Sequence, residues 1–220
     1  MIEFEDLCLT YSGSHEVFSN ITMSLDPGKV YFLTGNSGAG KSSFLKLLYL
    51  AIAPTRGKLR IFGNDVESFQ DDDKVYLYRR LGIIFQDFRL INHLNVYDNV
   101  ALPLILSGKT QNLHSDVTEI LHWVEMGDKV DVFPRHLSGG EKQRVAIARS
   151  VIAKPDLILA DEPTGSMDMG MSRKIMYLFM ELNKLGHTII IATHATSLLN
   201  SFSCSVLCIE DKKLHFMSRT

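Results

Sequence analysis

The sequence predicts an α/β fold with a mostly parallel β-sheet at its core, an antiparallel β-sheet at one edge and a helical insertion. Two observations predict the parallel core. Short, continuous apolar runs at residues 157–160 and 188–192 are typical of strands that are buried on both faces. These runs alternate with segments of helical spacing, which is the order expected of parallel strands joined by crossover helices.

The antiparallel edge sheet is predicted near the N-terminus. Apolar and polar residues mostly alternate over residues 2–11 and again over 17–25, with a turn predicted at 13–15. An Asp26-Pro27-Gly28 turn then leads into an apolar run at 30–33, which reads as a buried strand.

The remaining elements follow from the same periodicities. Further strands are predicted at 58–62, 81–85, 157–160 and 188–192, and helices at 43–48, 74–80, 96–106, 116–126, 137–153 and 172–185. We predict that Pro103 interrupts the third helix, and that Ser115 caps the fourth helix and Gly127 ends it. The acidic run 71–73 is interpreted as a helix N-terminus and not as a metal site, because three consecutive acids point in different directions.

Composition limits the class of protein. The 220 residues are 45% hydrophobic and 22% charged, as in an ordinary globular domain, and the formal net charge of −2 gives no reason to expect nucleic acid. Cys8, Cys204 and Cys208 lack the spacing of a disulfide framework or of a CxxC metal pair, so we predict that they are reduced. The acidic start is unlike a signal peptide, and no apolar run approaches the roughly 20 residues of a membrane span. Any membrane association should therefore come through a partner.

Residues 35–42 match the phosphate-binding pattern G-x-x-x-x-G-K-[ST] at every fixed position. The glycines let backbone amides turn towards a polyphosphate, while Lys41 offers a positive charge to the β- and γ-phosphates and Ser42 offers a hydroxyl to Mg²⁺. The helix predicted after the loop would point its N-terminus at the phosphates. Chance would produce the four fixed positions in about one such chain in a hundred. We therefore predict a nucleotide site in a P-loop NTPase fold.

Two further segments suggest a phosphate site. Residues 139–140 are glycines in the first turn of a predicted helix. Glycine lowers helix stability, so its presence here suggests that uncovered backbone amides are needed to face an anion. Ser138 and Glu141 flank them with the spacing of a capping box. Residues 161–162 are acidic and end one buried strand, and His194 ends another, so all three should meet at the carboxyl edge of the sheet.

Together these motifs resemble the nucleotide-binding subunits of ABC transporters, and the resemblance covers essentially the whole chain. The phosphate loop alone would admit kinases or GTPases, but segment 137–143 is similar to the ABC signature, which those classes lack. The resemblance implies one ATP-binding domain over 1–220, with a RecA-like core at about 1–87 and 151–220 and a helical subdomain at about 88–150. It also implies a head-to-tail homodimer that holds ATP between the phosphate loop of one chain and the signature helix of the other.

The resemblance assigns roles to individual residues. The implied catalytic residues are Glu162, as general base for the attacking water, with His194, Gln86 and Lys41. The implied ATP contacts are Tyr11, Gly35, Asn36, Ser37, Gly38, Ala39, Gly40, Lys41, Ser42, Ser43, Ser138, Gly139, Gly140, Glu141 and Asp168. The implied Mg²⁺ ligands are Ser42, Gln86 and Asp161. Taken singly, each of three residues has a simpler explanation: Tyr11 could pack in its sheet, Gln86 could be a polar loop residue and His194 could be a strand-end histidine. Only their joint spacing around the phosphate loop favours the roles in ATP binding and hydrolysis, and this support is weakest for Tyr11.

Segments 82–90 and 96–104 resemble the bacterial cell-division branch of the family. That branch implies an ATPase at the cytoplasmic face of the plasma membrane, bound to an integral membrane partner and acting on cell-wall hydrolysis. Lipoprotein-release and MacB-type export ATPases share much of the pattern and remain alternatives. A slow ATP-dependent interaction switch is another alternative, although Glu162 argues against it. DNA-maintenance ATPases usually carry a long coiled coil, for which this sequence shows no pattern.

Two positions depart from the family pattern. Segment 166–169, Ser-Met-Asp-Met, replaces the more usual Asn-Leu-Asp-Pro of the D-loop, and Ala195 follows His194 where an acidic residue is common. Neither change removes a catalytic group. Apolar residues just after Gln86 are candidates for docking the membrane partner, with packing against the insertion's own helices as the alternative; they are Phe88, Leu90 and Ile91.

Overall fold

A computed structural model describes residues 1–11, 15–195 and 201–217. The strands are Ile2–Tyr11 (β1), His15–Leu25 (β2), Val30–Gly35 (β3), Arg56–Ile61 (β4), Asn64–Asp65 (β5), Leu81–Ile84 (β6), Leu157–Asp161 (β7), Thr188–Ala192 (β8), Ser205–Glu210 (β9) and Lys213–Phe216 (β10). The α-helices are Lys41–Leu48 (α1), Asp71–Arg79 (α2), Val96–Leu106 (α3), Leu113–Trp123 (α4), Gly139–Val151 (α5) and Met169–Lys184 (α6). No helix in these ranges is long and apolar enough to cross a membrane.

The strands form two sheets. The larger sheet has the order β10-β9-β3-β8-β7-β6, and all its neighbours are parallel except the β9–β10 pair. The smaller sheet has the order β2-β1-β4-β5 and is antiparallel throughout. The predicted α/β fold, with a mostly parallel core and an antiparallel edge sheet, is confirmed. A turn is predicted at 13–15. Residues 13 and 14 lie outside the described part of the chain, and residue 15 begins β2.

Two hydrophobic clusters cover the two faces of the larger sheet. Strand β8 shows the division, because Ile189 and Ile191 belong to the first cluster whereas Ile190 and Ala192 belong to the second. Successive side chains of a strand point to opposite faces, so an uninterrupted apolar run serves both clusters. The first cluster includes residues of α3, α4, α5 and α6, and the second includes α1 and the antiparallel sheet. This burial fixes the carboxyl edge of the sheet, where the predicted site lies.

Two details of the helical region differ from prediction. Pro103 does not interrupt α3, which runs through it to Leu106 and is continued by a bond from the Ser107 amide to the Pro103 carbonyl at 3.1 Å. Helix α4 begins at Leu113, so Ser115 is not its cap; the Ser115 hydroxyl instead donates to the Asn112 carbonyl at 2.9 Å. Leu113 packs against the first cluster, and this tertiary packing extends the helix by one turn.

The prediction that Gly127 ends α4 is also wrong. The helix stops at Trp123, four residues before Gly127, and Glu125 has the left-handed φ of 55° that turns the chain away. The acidic run at 71–73 does begin a helix, as predicted: the Asp73 carboxylate accepts from the Gln70 amide at 2.9 Å. Cys8, Cys204 and Cys208 are not joined by a disulfide in the described part of the chain.

Candidate functional site

The phosphate-binding loop joins β3 to α1. Gly38 and Gly40 have left-handed φ angles of 78° and 109°, which other residues adopt only with strain. A Cβ atom at Gly40 would also lie 2.6 Å from Cγ1 of Val17, so the antiparallel sheet leaves no room for a side chain there. Helix α1 begins directly after this glycine, at Lys41. The loop therefore directs the first-turn amides of a helix to one place, as anion binding requires.

Lys41 is buried against the loop that precedes it. Only 8% of the residue is exposed, and its Nζ donates to the carbonyl oxygens of Gly35 and Asn36 at 2.9 and 3.1 Å. Burial lowers the pKa of Lys41, while the negative charges of Glu162 and Asp161 act in the opposite direction. The ammonium group thus lies within the field of the two acidic residues that end β7.

One cavity of about 690 Å³ joins the phosphate loop to the carboxyl edge of the sheet. From the loop and α1 it is lined by Ser37, Gly38, Gly40, Lys41, Ser42 and Ser43. From the other elements it is lined by the predicted residues Gln86, Asp161, Glu162 and His194. The structure therefore brings together the residues predicted to act on the γ-phosphate, although they come from distant parts of the sequence.

Glu162 is held in an unusual conformation directly after β7. Its φ of 48° is left-handed, which is strained for a residue with a side chain, and its amide donates to the Ala192 carbonyl at 2.9 Å. The carboxylate atom Oε2 accepts from the Thr193 hydroxyl at 3.2 Å. The other carboxylate atom, Oε1, is buried and has no hydrogen-bond partner among the described residues. A strained backbone and an unpartnered carboxylate oxygen are features of a functional residue.

His194 follows β8 and lies beside Glu162. Its Nε2 is 3.7 Å from Oε1 of Glu162, which is too long for a hydrogen bond, and 54% of its side chain is exposed. The next residue, Ala195, donates its amide to the Thr193 hydroxyl at 3.0 Å and packs against the first hydrophobic cluster. An apolar residue suits this half-buried position, where the family more often has an acid.

The signature segment begins α5 with the predicted capping box. The Ser138 hydroxyl accepts from the Glu141 amide, and the Glu141 carboxylate accepts from the Ser138 amide at 2.8 Å. Glu141 also forms an ion pair with Lys129. The hydrogen bond from Lys129, followed by that from the Ser138 amide, lowers the pKa of Glu141 to about 2. The Glu141 carboxylate is therefore engaged within its own chain.

The predicted signature contacts do not share the cavity of Lys41. Residues 138–141 and Asp168 line a neighbouring groove, together with Met167 and with Ser166, which also lines the cavity of Lys41. In the same groove the Asp168 carboxylate caps α6 by accepting from the Met171 amide at 2.9 Å, and this bond lowers the pKa of Asp168. One chain thus presents two incomplete surfaces, one carrying the phosphate loop and one carrying the signature.

The other predicted contacts surround the loop. The Tyr11 hydroxyl lies 3.1 Å from the Ser43 hydroxyl, and 38% of Tyr11 is exposed. Asn36 and Ala39 face a neighbouring groove on the side of β9. Gly35 contributes its carbonyl to Lys41, and a Cβ atom there would lie 2.8 Å from the Ile209 carbonyl.

Besides Thr193, sequence reasoning missed Gln143 and Arg149 in this region. Gln143 of α5 lines the cavity and is 2% exposed, yet its Nε2 has no hydrogen-bond partner in the described ranges. Arg149, on the same helix, donates to the carbonyls of Phe88 and Arg89 at 2.8 and 2.7 Å. Both acceptors have left-handed φ angles, 62° and 47°. Arg149 directly follows the apolar run 145–148, which is a weak sequence signal, whereas Gln143 stands between Lys142 and Arg144 and has none.

Comparisons with known proteins agree with the geometry. Residues 18–165 match the family described as ABC transporter. The cell division ATP-binding protein FtsE of Escherichia coli K12 is 42% identical over 216 residues, covering 98% of this chain and 97% of that protein. FtsE of Bacillus subtilis is 37% identical over 212 residues, covering 96% of this chain and 93% of that protein.

A solved structure shows the same architecture. The dimeric ATP-binding cassette MJ0796 bound to ADP and Pi superposes with a TM-score of 0.89, at 29% identity, over the whole of both chains. The resemblance to ABC nucleotide-binding subunits, and to the cell-division proteins among them, is therefore confirmed. This chain belongs to the ABC transporter family, and the FtsE proteins are among its relatives.

Proposed function

We propose that this chain is the ATP-hydrolysing subunit of an FtsEX-like complex, in which ATP-driven dimerisation acts on an integral membrane partner. As an ABC transporter family member with FtsE relatives, the chain is an ATPase. One observation carries the assignment of the site: a single cavity contains Lys41, Ser42, Asp161, Glu162 and His194. Hydrolysis of a γ-phosphate needs positioning and neutralisation of charge more than covalent chemistry, and these side chains supply both.

ATP would bind through its phosphates at the loop. The first-turn amides of α1 and the buried ammonium group of Lys41 supply positive charge. Tyr11 lies beside the loop through its contact with Ser43, where an exposed aromatic ring can stack on the adenine.

Mg²⁺ is the metal that this donor set fits. Ser42, Gln86 and Asp161 line the same cavity and offer only oxygen ligands, together with a carboxylate charge. These three residues would hold the ion, which when bound neutralises charge on the phosphate oxygens. The observation that supports the fit is the gathering of a hydroxyl, an amide and a carboxylate, from three separate elements, around the end of the phosphate loop.

Glu162 would act as the general base. Its Oε1, which is buried and has no partner among the described residues, would accept the proton once the attacking water reaches it, while the Thr193 hydroxyl fixes Oε2. A positioned base contributes roughly 10²- to 10⁴-fold to a rate. His194, 3.7 Å from Oε1, is placed to hold the γ-phosphate and the attacking water in line.

A second copy of the chain would complete the site. The signature residues 138–141 line a different groove from the cavity of Lys41, which is the arrangement expected if each contacts the ATP of a different site. The MJ0796 cassette, solved as a dimer bound to ADP and Pi, supports a dimer for this chain. The proposed arrangement is head to tail, with each phosphate loop facing the signature of the other chain.

The proposed membrane partner resembles FtsX and would place this chain at the cytoplasmic face of the plasma membrane. Its docking surface is proposed to include Phe88, which is half-buried on the edge of the nucleotide cavity, just after Gln86. Leu90 is a poorer candidate, because it packs against the first hydrophobic cluster. A movement of Gln86 would thus be transmitted directly to the docked partner. The complex would act in cell division and in control of cell-wall hydrolases.

Two experiments test this function. Purified chain should release phosphate from ATP only with Mg²⁺, and Lys41→Ala should abolish both ATP binding and release; activity retained in Lys41→Ala would refute the assignment of the site. Co-purification with the FtsX-like membrane protein tests the partner. Phe88→Asp should weaken that complex while ATP binding is kept as a control, because an unpaired charge is costly in an apolar interface. A complex of unchanged strength would place the docking surface elsewhere.

A further inference from the structure

We propose that Cys208, Glu210 and His215 form a binding site for a Zn²⁺-class divalent cation. One donor atom from each residue lies within 4.8 Å of the donor atoms of the other two. The three residues belong to β9 and β10 at the edge of the larger sheet, and none of them lines the cavity of Lys41. Glu210 also lines the groove of Asn36 and Ala39, so the proposed cation site adjoins the phosphate loop but shares no residue with the cavity that would hold Mg²⁺.

The hairpin geometry puts the three side chains on one face. Asp211 and Lys212 form a two-residue turn with left-handed φ angles of 46° and 63°, a turn type that fixes the register of a hairpin. In that register Cys208 lies opposite His215, and directly opposed side chains point to the same face. Glu210 is two residues from Cys208 on the same strand, so it shares that face.

The other face of the hairpin is held by the protein core. Leu207 and Ile209 are buried in the second hydrophobic cluster, and Leu214 packs against it. Strand β9 also pairs in parallel with β3, and the Ser19 amide donates to the Lys212 carbonyl at 2.9 Å. The core therefore orients the hairpin and leaves the donor face accessible, with Cys208 half-buried and the other two donors exposed. A site on a strand pair held in this way is better defined than one on a free loop.

The chemistry of the donors selects the class of metal. A thiolate, an imidazole and a carboxylate are the ligands that Zn²⁺ takes in proteins, whereas Mg²⁺ and Ca²⁺ prefer oxygen ligands alone. Ligand bonds of about 2.0 to 2.3 Å on a tetrahedral ion separate neighbouring donors by roughly 3.3 to 3.8 Å. The His215 Nε2 to Glu210 Oε2 distance is 3.9 Å, so exposed side chains need only small rotations to close on an ion. Three protein ligands leave a fourth position for water or another ligand.

A simpler interpretation makes a different prediction. An exposed Glu210–His215 pair adds little to stability, and Cys208 would then be an ordinary half-buried residue with no part in metal binding. The two interpretations differ in whether the Cys208 thiol contacts a metal. They can therefore be separated by spectroscopy, without any measurement of ATPase activity.

The test is titration of the reduced, tag-free full chain with Co²⁺ and then with Zn²⁺, in excess Mg²⁺. We expect one Co²⁺ per chain, with a thiolate-to-cobalt charge-transfer band that Zn²⁺ displaces. Cys208→Ser should remove the band, and His215→Gln and Glu210→Gln should each weaken Zn²⁺ binding by roughly tenfold or more, as expected when one of three protein ligands is lost. Cys204→Ser, which alters another thiol, is the matched control and should leave binding unchanged.

Three results would overturn the proposal. The first is wild-type chain that shows no charge-transfer band. The second is a band of full intensity in Cys208→Ser, which would place the metal at another thiol. The third is Zn²⁺ affinity that stays the same in both His215→Gln and Glu210→Gln. The wild-type spectrum decides the first point even if a variant fails to fold.

Discussion

The Thr193 hydroxyl donates to Oε2 of Glu162 at 3.2 Å, and it also accepts the amide of Ala195 at 3.0 Å. Thr193 is 1% exposed, so this hydroxyl connects the end of β7 to the chain beyond β8 from inside the protein. The Glu162 carboxylate is thereby fixed through one oxygen, while the other, Oε1, is buried without a hydrogen-bond partner among the described residues. The positions of Glu162 and of the segment at His194 are thus coupled through a single side chain.

Removing this hydroxyl should lower turnover more than ATP affinity. Thr193→Val keeps the side-chain shape but loses a hydrogen bond to a charged group, worth about 1.5–3 kcal/mol, so we expect kcat to fall roughly tenfold or more with little change in the Kd for ATP. Thr193→Ser, which keeps the hydroxyl, should restore most of the rate. If Thr193→Val lowers kcat and Thr193→Ser lowers it equally, the hydroxyl is not what positions Glu162.

Arg149 should hold the segment that follows Gln86. Its guanidinium group donates to the carbonyls of Phe88 and Arg89, and burial lowers the pKa of Arg149. Arg149→Met should cost about 2 kcal/mol, because it leaves carbonyls of a strained segment unpaired. We expect faster amide hydrogen exchange over residues 86–91 and a lower Tm. Arg173→Met, at an exposed position of α6, is the control, and equal protection of 86–91 in both variants would count against this role.

The Lys129–Glu141 ion pair should make stability depend on pH in the acid range. The folded-state pKa of Glu141 is lowered from 4.5 to about 2, so its contribution is present above about pH 4.5 and is lost as the pH falls towards 2. Lys129→Met should therefore destabilise the chain at neutral pH by about 1 kcal/mol, a value reduced by solvent screening of the part-exposed lysine.

Urea unfolding of wild type and Lys129→Met at several pH values measures this effect. The difference in unfolding free energy should shrink as the pH falls below 4.5. The exposed Lys58→Met is the matched control and should show no such convergence. A difference that stays constant down to pH 2 would show that the pair does not set the pKa of Glu141.

ATP, and not ADP, should bring two chains together. In the proposed dimer, the signature groove of one chain contacts an anion only when the site of the other chain holds a γ-phosphate. Sedimentation of Glu162→Gln at high protein concentration should therefore show dimers with ATP and monomers with ADP. Adding Ser138→Arg should prevent association, because Ser138 lines that groove. Normal dimerisation of the Ser138→Arg chain would contradict the head-to-tail arrangement.

Sequence periodicity predicted the fold because its buried strands are unusually clear. The run at β8 is apolar on both faces, and the glycine pattern of the phosphate loop has few alternative explanations. The hairpin of β9 and β10 was missed, although Val206, Leu207 and Ile209 are apolar, because its turn residues, Asp211 and Lys212, are not the usual glycine or asparagine. The start of α4 was missed because the packing of Leu113 outweighed the local capping preference of Ser115.

The sequence predicted only those site residues that belong to local sequence motifs. Gly35–Ser42, Asp161 and Glu162 stand in recognisable local patterns, whereas Gln143 and Thr193 contribute through contacts between distant elements. The left-handed φ of Glu162 likewise has no sequence signal, because glutamate does not favour that conformation. Single-sequence reasoning therefore named the residues to which we assign the chemistry and missed those that contact them.

The most direct test of the account is the rate of Mg²⁺-dependent ATP hydrolysis by Glu162→Gln, measured beside wild type with the membrane partner reconstituted. The amide keeps an oxygen for the Thr193 hydroxyl but cannot take a proton from water, so ATP binding should persist while the rate falls by roughly a hundredfold or more. Hydrolysis by Glu162→Gln at the wild-type rate would contradict the assignment of Glu162 as the general base.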